Sequence, residues 1–462
     1  MTTAPLQPEP HSPASAGARV MIVGGGARSH ALGEALLRSP SVATVLFAPG
    51  TSGLERRGFR TLPVASQDFL GLAEMAELEE IDLTVVGPNT PLVDGIVDVF
   101  EARGLPIFGP TQDAAKLEGS KVFARVLMNQ LAIETPRFAI CDTVDRAAHL
   151  ARTTRWARVF KADGIAYGKG VRVTHRADEC DEALKEVMQD NIFGLESKRI
   201  VVEERLDGVE VTVFSLTDGV DIAVLGHVLN YPRLLDGDLG PPTRGMGQLA
   251  PAPVIDARMV AHIERDVLRP AVDAMASRGR PLRGALFVDL MLVRGEALVL
   301  DYNLRFGDPA TQILLSRVSG DFYAALQACR GSGQLLAAVD ALVFDERPRV
   351  SVVLTAEGYP ERYTRGAEIT IDDAHFAADP DLWLFEDGVR WIEAVAQTEA
   401  VAQTEAVDQI KTGDRIETTG GRTATVVAAA ATYAEARNKA YEAVTHIRYA
   451  GQHCRTDIGA GY

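Results

Sequence analysis

A carboxylate, a carboxamide and a guanidinium alternate along VLDYNLRFGDPATQ, residues 299–312. Asp301, Asn303 and Arg305 stand at i, i+2 and i+4 of a β-favouring run, so their side chains share one face if that run is a strand. Two hard oxygen donors followed by a permanent cation suit a magnesium ion and the negative charge of a reacting phosphoryl group. A second carboxylate, Asp289, lies on the preceding apolar run ALFVDLMLV. A hairpin turn at Arg294-Gly295-Glu296 would bring it beside Asp301. The plainer alternative is a polar edge strand followed by a Gly-Asp-Pro turn.

Other stretches also have ligand chemistry. Gly24-Gly25-Gly26 follows an apolar strand and opens a helix, whose N-terminus would attract an anion such as a sugar phosphate. A dinucleotide fingerprint fits it poorly, because Ser29 takes the third glycine position and Ala48-Pro49-Gly50 ends the second strand where an acidic ribose ligand belongs. KADGIAYGKG, residues 161–170, is a glycine-punctuated loop flanked by Lys161 and Lys169. Its backbone N–H groups can close over phosphates, although it lacks the Walker pattern and an exposed hairpin would have the same composition. Glu203, Glu204 and Glu210 surround a strand and turn, placed either to accept from adenine and ribose or to face solvent. DGDLGPPTRGMG, residues 236–247, has the composition of a mobile substrate loop or a disordered one.

A chain of 462 residues is long enough for about three domains to position these groups. Its 47% hydrophobic content suits an α/β protein, and a net charge of −16 argues against broad nucleic-acid binding. Cys141, Cys180, Cys329 and Cys454 form no C-x-x-C pair and imply reduced thiols with no zinc site among them. Residues 1–18 are rich in Pro, Ala and Ser, a disordered tail and not a signal or transit peptide. No apolar run approaches the ~20 residues needed to span a bilayer, so a cytoplasmic protein without a membrane partner is expected.

Strand and helix patterns alternate through residues 19–120, implying a doubly wound parallel sheet. Residues 121–345 carry the glycine loop, the acidic strand, a long loop over 230–253 and the carboxylate hairpin. From 346 to 462 short strands and one helix suggest a small, separate α+β domain. Within it EAVAQTEAVAQTEAVDQ, residues 393–409, is a tandem hexapeptide, read as an exposed duplication or an interaction helix.

This order of features resembles the ATP-grasp superfamily and, more narrowly, the phosphoribosylamine–glycine ligase (glycinamide ribonucleotide synthetase) family. GGGARSHA, FAPGTSG, VVGPNTPLVDGI, GLPIFGPT, LEGSK, FKADGIAYGKGV, VEERLDG, DGDLGPPTRGMG, NLRFGDPATQ, GYPERYTRG, TTGGRTATVVA and AEARNKAYEAV carry the resemblance in collinear order. It implies an α/β fold with an N-terminal doubly wound domain, an ATP-grasp core with an inserted lid at about 132–189, and a C-terminal α+β domain. It also implies a reaction: ATP phosphorylates a carboxylic acid, an amine attacks the acyl phosphate, and an amide, ADP and phosphate leave. Lys121 and Lys161 would hold ATP phosphates, with Gly168, Lys169 and Gly170 closing above them. Glu203, Glu204 and Leu206 would form the adenine hinge, with Glu210 on the ribose. Asp301 and Asn303 match the family's metal ligands for Mg2+, or Mn2+, and Arg305 and Lys161 would be the catalytic cations. The partners implied are phosphoribosylamine and glycine, acting on a monomer or homodimer.

Several positions depart from the family pattern. Ala27-Arg28-Ser29-His30, Gly87-Pro88-Asn89 and Asn230-Tyr231-Pro232-Arg233 lose ionisable groups; Thr243-Arg244-Gly245-Met246-Gly247 gains a cation; Gly307-Asp308-Pro309-Ala310 loses an acid. These loops would face the amine and the acid, through Gly25, Gly26, Arg28, Ser29, Asn89, Arg233, Arg244, Gly245 and Asp308. At the metal site Asp301 is shorter than the usual Glu, and Asp289 replaces a Gly, which suggests that Asp289 joins Asp301 and Asn303. Two ligase readings result, the purine-pathway reaction and a specialised amide ligase with another amine or acid. An ATP-binding regulator without activity and a carboxylase are the readings from other classes.

Overall fold

The computed structural model of the chain describes residues 17–164, 170–188, 199–393 and 414–462. The glycine-loop residues Gly168 and Lys169, most of the hexapeptide repeat and most of the N-terminal tail lie outside them.

The N-terminal alternation folds as expected into a five-stranded parallel sheet, in the order Arg60–Thr61, Val42–Ala48, Ala18–Val23, Leu83–Val86, Ile107–Phe108. Its central strands are continuous apolar runs because helices cover both faces; Val20 through Val23 are fully buried. The glycine loop therefore leaves the C-terminal end of the middle strand and enters helix Ala27–Leu37, at the crevice where open α/β sheets bind ligands.

Helices Gln112–Gly119 and Lys121–Gln130 meet at Ser120, which caps the second helix through Phe123 N at 3.1 Å. This junction sets Lys121 at the first helical position, facing the core. The inserted unit has a sheet in the order Phe138–Cys141, Ile200–Glu204, Ala157–Ala162, Val171–Val173, with helices Val144–Thr153 and Cys180–Met188 on it. It thus runs past residue 189 to Glu204, because Ile200 and Val202 complete a small core with Phe160 and Leu184.

The main sheet has eight antiparallel strands in the order Glu296–Asn303, Gly284–Val293, Val209–Thr217, Ile222–Asn230, Gly247–Ala250, Arg349–Thr355, Arg422–Ala429, Leu382–Glu386. The C-terminal α+β unit shares this sheet: Gly247–Ala250 pairs with Arg349–Thr355 and carries the sheet straight across. Val350, Val352, Leu354 and Val426 are buried in the same hydrophobic cluster as Leu249 and Val288, so continuity removes two sheet edges from water. Among the described residues, the smaller sheet of Val389–Ile392, Arg415–Thr418, Glu368–Ile371 and Ile447–Arg448 belongs to this unit alone.

The Gly/Pro loop is more ordered than its composition suggests. Residues 230–253 contain the ribbon Arg233–Leu235 with Leu239–Pro242, then the central strand Gly247–Ala250. The ribbon tip is held from the C-terminus: Gly237 N donates to Asp457 Oδ2 at 2.8 Å, Thr456 N to Asp236 Oδ1 at 2.7 Å, and Arg455 Nη1 to Asp238 Oδ1 at 2.9 Å. Asp236→Ala, which removes the acceptor of Thr456 N at an exposed position, should therefore speed amide hydrogen exchange across residues 233–242 while costing no more than about 1 kcal/mol of global stability. Unchanged exchange in that ribbon would contradict this anchoring.

Candidate active site

The carboxylate hairpin forms as read. Strands Gly284–Val293 and Glu296–Asn303 pair antiparallel with Asp289 opposite Asp301, and Phe287 opposite Asn303. Arg294 and Gly295 turn with φ of 53° and 88°, a two-residue connection with both central residues left-handed. Asn303 Nδ2 donates to Asp289 Oδ2 at 2.9 Å, and Thr212 Oγ1 donates to Asp289 Oδ1 at 2.5 Å. Among the described residues nothing donates to Asn303 Oδ1. Burial and the neighbouring Asp301 push the Asp289 carboxyl up to about 6, against its bond from Thr212.

Asp301 faces two ammonium groups. Lys121 Nζ lies 2.8 Å from Oδ1 and Lys161 Nζ 3.1 Å from Oδ2. Despite burial, these lysines hold Asp301 below the usual carboxylate range. Lys161 also reaches Leu300 O at 3.1 Å and Glu203 Oε2 at 3.1 Å. Glu203 in turn accepts from Arg125 Nε at 2.5 Å, while Arg125 Nη1 and Nη2 donate to Val299 O and Leu300 O at 2.9 and 2.7 Å. Glu203 and Arg125 side chains are both 2% exposed. The Glu203 carboxylate is consequently a buried counter-ion, not a group turned outward to a base. Glu204 and Leu206, the next residues along this edge, are partly exposed.

Glu210 is on the neighbouring strand Val209–Thr217, where no described residue hydrogen-bonds its carboxylate. Burial, then Asp289, push it up to about 8. Gly170 is buried, with its carbonyl accepting from Ala162 N at 2.9 Å. Asp289, Asp301 and Asn303, carried on two paired strands, are a donor set whose chemistry suits a hard divalent cation. Glu210 is close enough to feel both aspartates.

Arg305 lies just past the strand and is positioned by Glu118. That carboxylate, 5% exposed, accepts from Arg305 Nε at 3.1 Å, Leu304 N at 2.7 Å and Asn89 Nδ2 at 3.2 Å. Arg305 Nη1 donates to Phe306 O at 3.1 Å, and the guanidinium stands 5.5 Å from the Phe287 ring centroid. Asn89 is thus beside the site, but it is turned to Glu118.

Beyond Arg305 the loops assemble a second charged group. Arg28 Nη1 donates to Phe306 O at 3.0 Å, and its Nε is buried without a partner. Burial and the nearby Arg305 push Arg28 down to about 9. Asp308 bonds Arg422, and Arg422 Nε lies 3.3 Å from Asp387 Oδ2. Arg244 is exposed and acts on Arg28, Asp308 and Asp387. Four arginines, Arg28, Arg244, Arg305 and Arg422, are therefore set against two aspartates. A Cβ on Gly26 would lie 2.6 Å from Asp387 Oδ1, so a side chain there would displace that carboxylate. A Cβ on Gly25 would lie 2.6 Å from Gly50 O.

Not every expected residue joins the cluster. Ser29 is 2% exposed, with its hydroxyl packed against Gly24 and Gly87. Arg233 donates to Gly240 O within its own ribbon. Gly245, at φ +109°, packs on Pro309 and turns the chain beside Asp308. Glu118, Arg125, Asp387 and Arg422 were missed by sequence reasoning. Glu118 and Arg422 stood inside the quoted motifs LEGSK and TTGGRTATVVA, whereas Arg125 and Asp387 carried no signal.

Three family models match successive parts of the chain: the phosphoribosylglycinamide synthetase N domain over residues 18–118, the ATP-grasp (A) domain over 119–311 and the C domain over 349–461. The chain belongs to the phosphoribosylglycinamide synthetase family. Relatives named phosphoribosylamine–glycine ligase agree with that membership. The one from Chlorobaculum tepidum is 37% identical over 447 residues, covering 96% of this chain and 99% of the relative. The one from Caldanaerobacter subterraneus subsp. tengcongensis is 36% identical over 444 residues, covering 96% and 100%. The crystal structure of the Thermotoga maritima phosphoribosylamine–glycine ligase superimposes with a TM-score of 0.73 at 28% identity, covering 95% of this chain and 100% of that one. A Campylobacter jejuni biotin carboxylase, at 13% identity and a TM-score of 0.64, shares the fold alone. Membership in the synthetase family confirms the α/β architecture and a C–N bond-forming ligase built on the ATP-grasp fold. No helix among the described residues is long and apolar enough to cross a membrane.

Proposed function

We propose that this ligase joins phosphoribosylamine to glycine at the expense of ATP, in the cytoplasm, as a monomer or homodimer. One observation carries the reading: Arg305 is shared between the two charged groups. It stands two residues past Asn303 of the carboxylate set and donates to Phe306 O at 3.1 Å, the same carbonyl that Arg28 of the arginine set meets at 3.0 Å. A guanidinium in that position can meet the acyl phosphate and the tetrahedral charge that follows. Even with Glu118 counted against Arg305, the arginines outnumber the carboxylates around them, a complement for a phosphate oxyanion. The amine would then be anchored by its phosphate through Arg28, Arg244 and Arg422, with Asp308 and Asp387 holding those arginines apart.

Asp289, Asp301 and Asn303 would hold Mg2+, or Mn2+ in its place. Such an ion supplies charge neutralisation on the ATP phosphates. Lys121 and Lys161 would turn from Asp301 to phosphate oxygens, with Gly168, Lys169 and Gly170 as further phosphate-binding residues. Glu204 and Leu206 backbone would meet adenine, and Glu210 the ribose hydroxyls. The alternative of a different amine or acid is not favoured, because the similarly named relatives match along the whole chain.

The decisive assay is ADP release with both phosphoribosylamine and glycine, against each omission and a panel of other amines and acids. Turnover should require both substrates. Equal turnover with another amine at comparable concentration would sink the assignment. For the ion, Asp289→Asn should raise the magnesium concentration for half-maximal rate by about tenfold, and an unchanged requirement would remove Asp289 from the ligand set.

A further inference from the structure

Away from the cleft, two histidines and a glutamate of the C-terminal unit converge. Helix Asp373–Ala378 carries His375, helix Tyr433–Val444 carries Glu442, and His446 follows one turn later. Their ligating atoms all lie within 4.8 Å of one another. His446 Nε2 is 3.0 Å from Glu442 Oε1, and His375 Nε2 is 3.2 Å from Glu442 Oε2. Separations near these are the edges of a tetrahedral shell with bonds of about 2.0 Å.

Two details point beyond hydrogen bonding. His375 Nε2 is buried, yet its approach to Glu442 is not aligned as a hydrogen bond. On the far side of the other ring, His446 Nδ1 lies 3.1 Å from Asp372 Oδ2. A carboxylate on the second nitrogen is what fixes the tautomer of a metal-ligating imidazole, leaving the Nε2 lone pair free. Two neutral imidazoles, Glu442, Asp372 and a divalent ion sum to zero charge. Glu442 is 55% exposed, so water can complete the shell. The two rings stack with centroids 3.8 Å apart and planes at 7°. One ring must tilt for both in-plane lone pairs to meet one ion, and His375, whose Nε2 makes no aligned bond, can do so.

We propose that His375, Glu442 and His446, with Asp372 behind His446, bind a divalent transition-metal ion of the zinc or nickel class, fastening the Asp373–Ala378 helix to the C-terminal helix. Imidazole nitrogens favour such ions over magnesium, which separates this site chemically from the all-oxygen set of Asp289, Asp301 and Asn303.

The test is zinc chloride titration of the tag-free full-length chain by calorimetry, in excess magnesium to saturate the oxygen site. About one equivalent should bind with a micromolar Kd. His446→Gln and His375→Gln should each weaken binding at least tenfold, with ligase activity and the zinc-free melting curve unchanged. The proposal is overturned if no zinc binds, or if the His375→Gln/His446→Gln double variant, folded by circular dichroism, binds as the parent does. Either result would leave a protonated His446 held between Asp372 and Glu442 as the whole content of the cluster.

Discussion

Arg305→Ala should lower kcat by about 10³-fold, the loss expected when one preorganised cation is removed from a developing negative charge. The KM for ATP should move by less than about threefold, because the interaction is made in the transition state and not in the ground state. Steady-state ADP release with saturating amine and acid checks both numbers. Glu118 gives the sharper test of how Arg305 is held. Its carboxylate is a positioning group that accepts from Arg305 Nε, Leu304 N and Asn89 Nδ2 together. Glu118→Gln keeps the shape but puts an amide where three donors converge, so at least one loses its acceptor. The expected result is a kcat loss of about 10²-fold, largely absent when the substitution is made in an Arg305→Ala background. Additive losses in that double variant would mean that Glu118 acts elsewhere.

Glu203→Ala should instead be a stability lesion, of about 3–5 kcal/mol, because it leaves Arg125 and Lys161 as buried cations short of their shared counter-ion. Lys161 would retain Asp301, and Arg125 its two carbonyls, which sets the loss at the lower end of that range. The measurement is the shift in urea midpoint, with Glu204→Ala as the control expected to cost less than about 1 kcal/mol. The alternative role, a side chain bonded to adenine, predicts the reverse pattern: a raised KM for ATP with an unchanged midpoint. The two outcomes are distinguishable in one pair of variants. A smaller loss in Glu203→Gln than in Glu203→Ala would show how much of the effect is charge and how much is hydrogen bonding.

The carboxylate hairpin was legible because everything that defines it is local. Period-two spacing put Asp301 and Asn303 on one face, and a two-residue turn with a glycine set Asp289 opposite Asp301. The parallel N-terminal sheet was legible for the same reason, its buried strands being unbroken apolar runs. The anchoring of the ribbon at 233–242 was not legible, because glycine and proline enrichment describes a tip, not what holds it. Asp457, 220 residues from Gly237, supplies that hold. The C-terminal strands looked independent because no periodicity records that Gly247–Ala250 would pair with Arg349–Thr355.

By itself, the order of residue types determined the elements, the carboxylate-bearing face and the family, since these rest on spacing within a few turns of chain. Tertiary structure alone decided which charges meet. Glu118 and Arg305 are 187 residues apart, and Arg125 and Glu203 are 78 apart. An ion pair at such separation leaves no pattern along the chain, because what selects it is the loss of water around both groups when remote segments pack together.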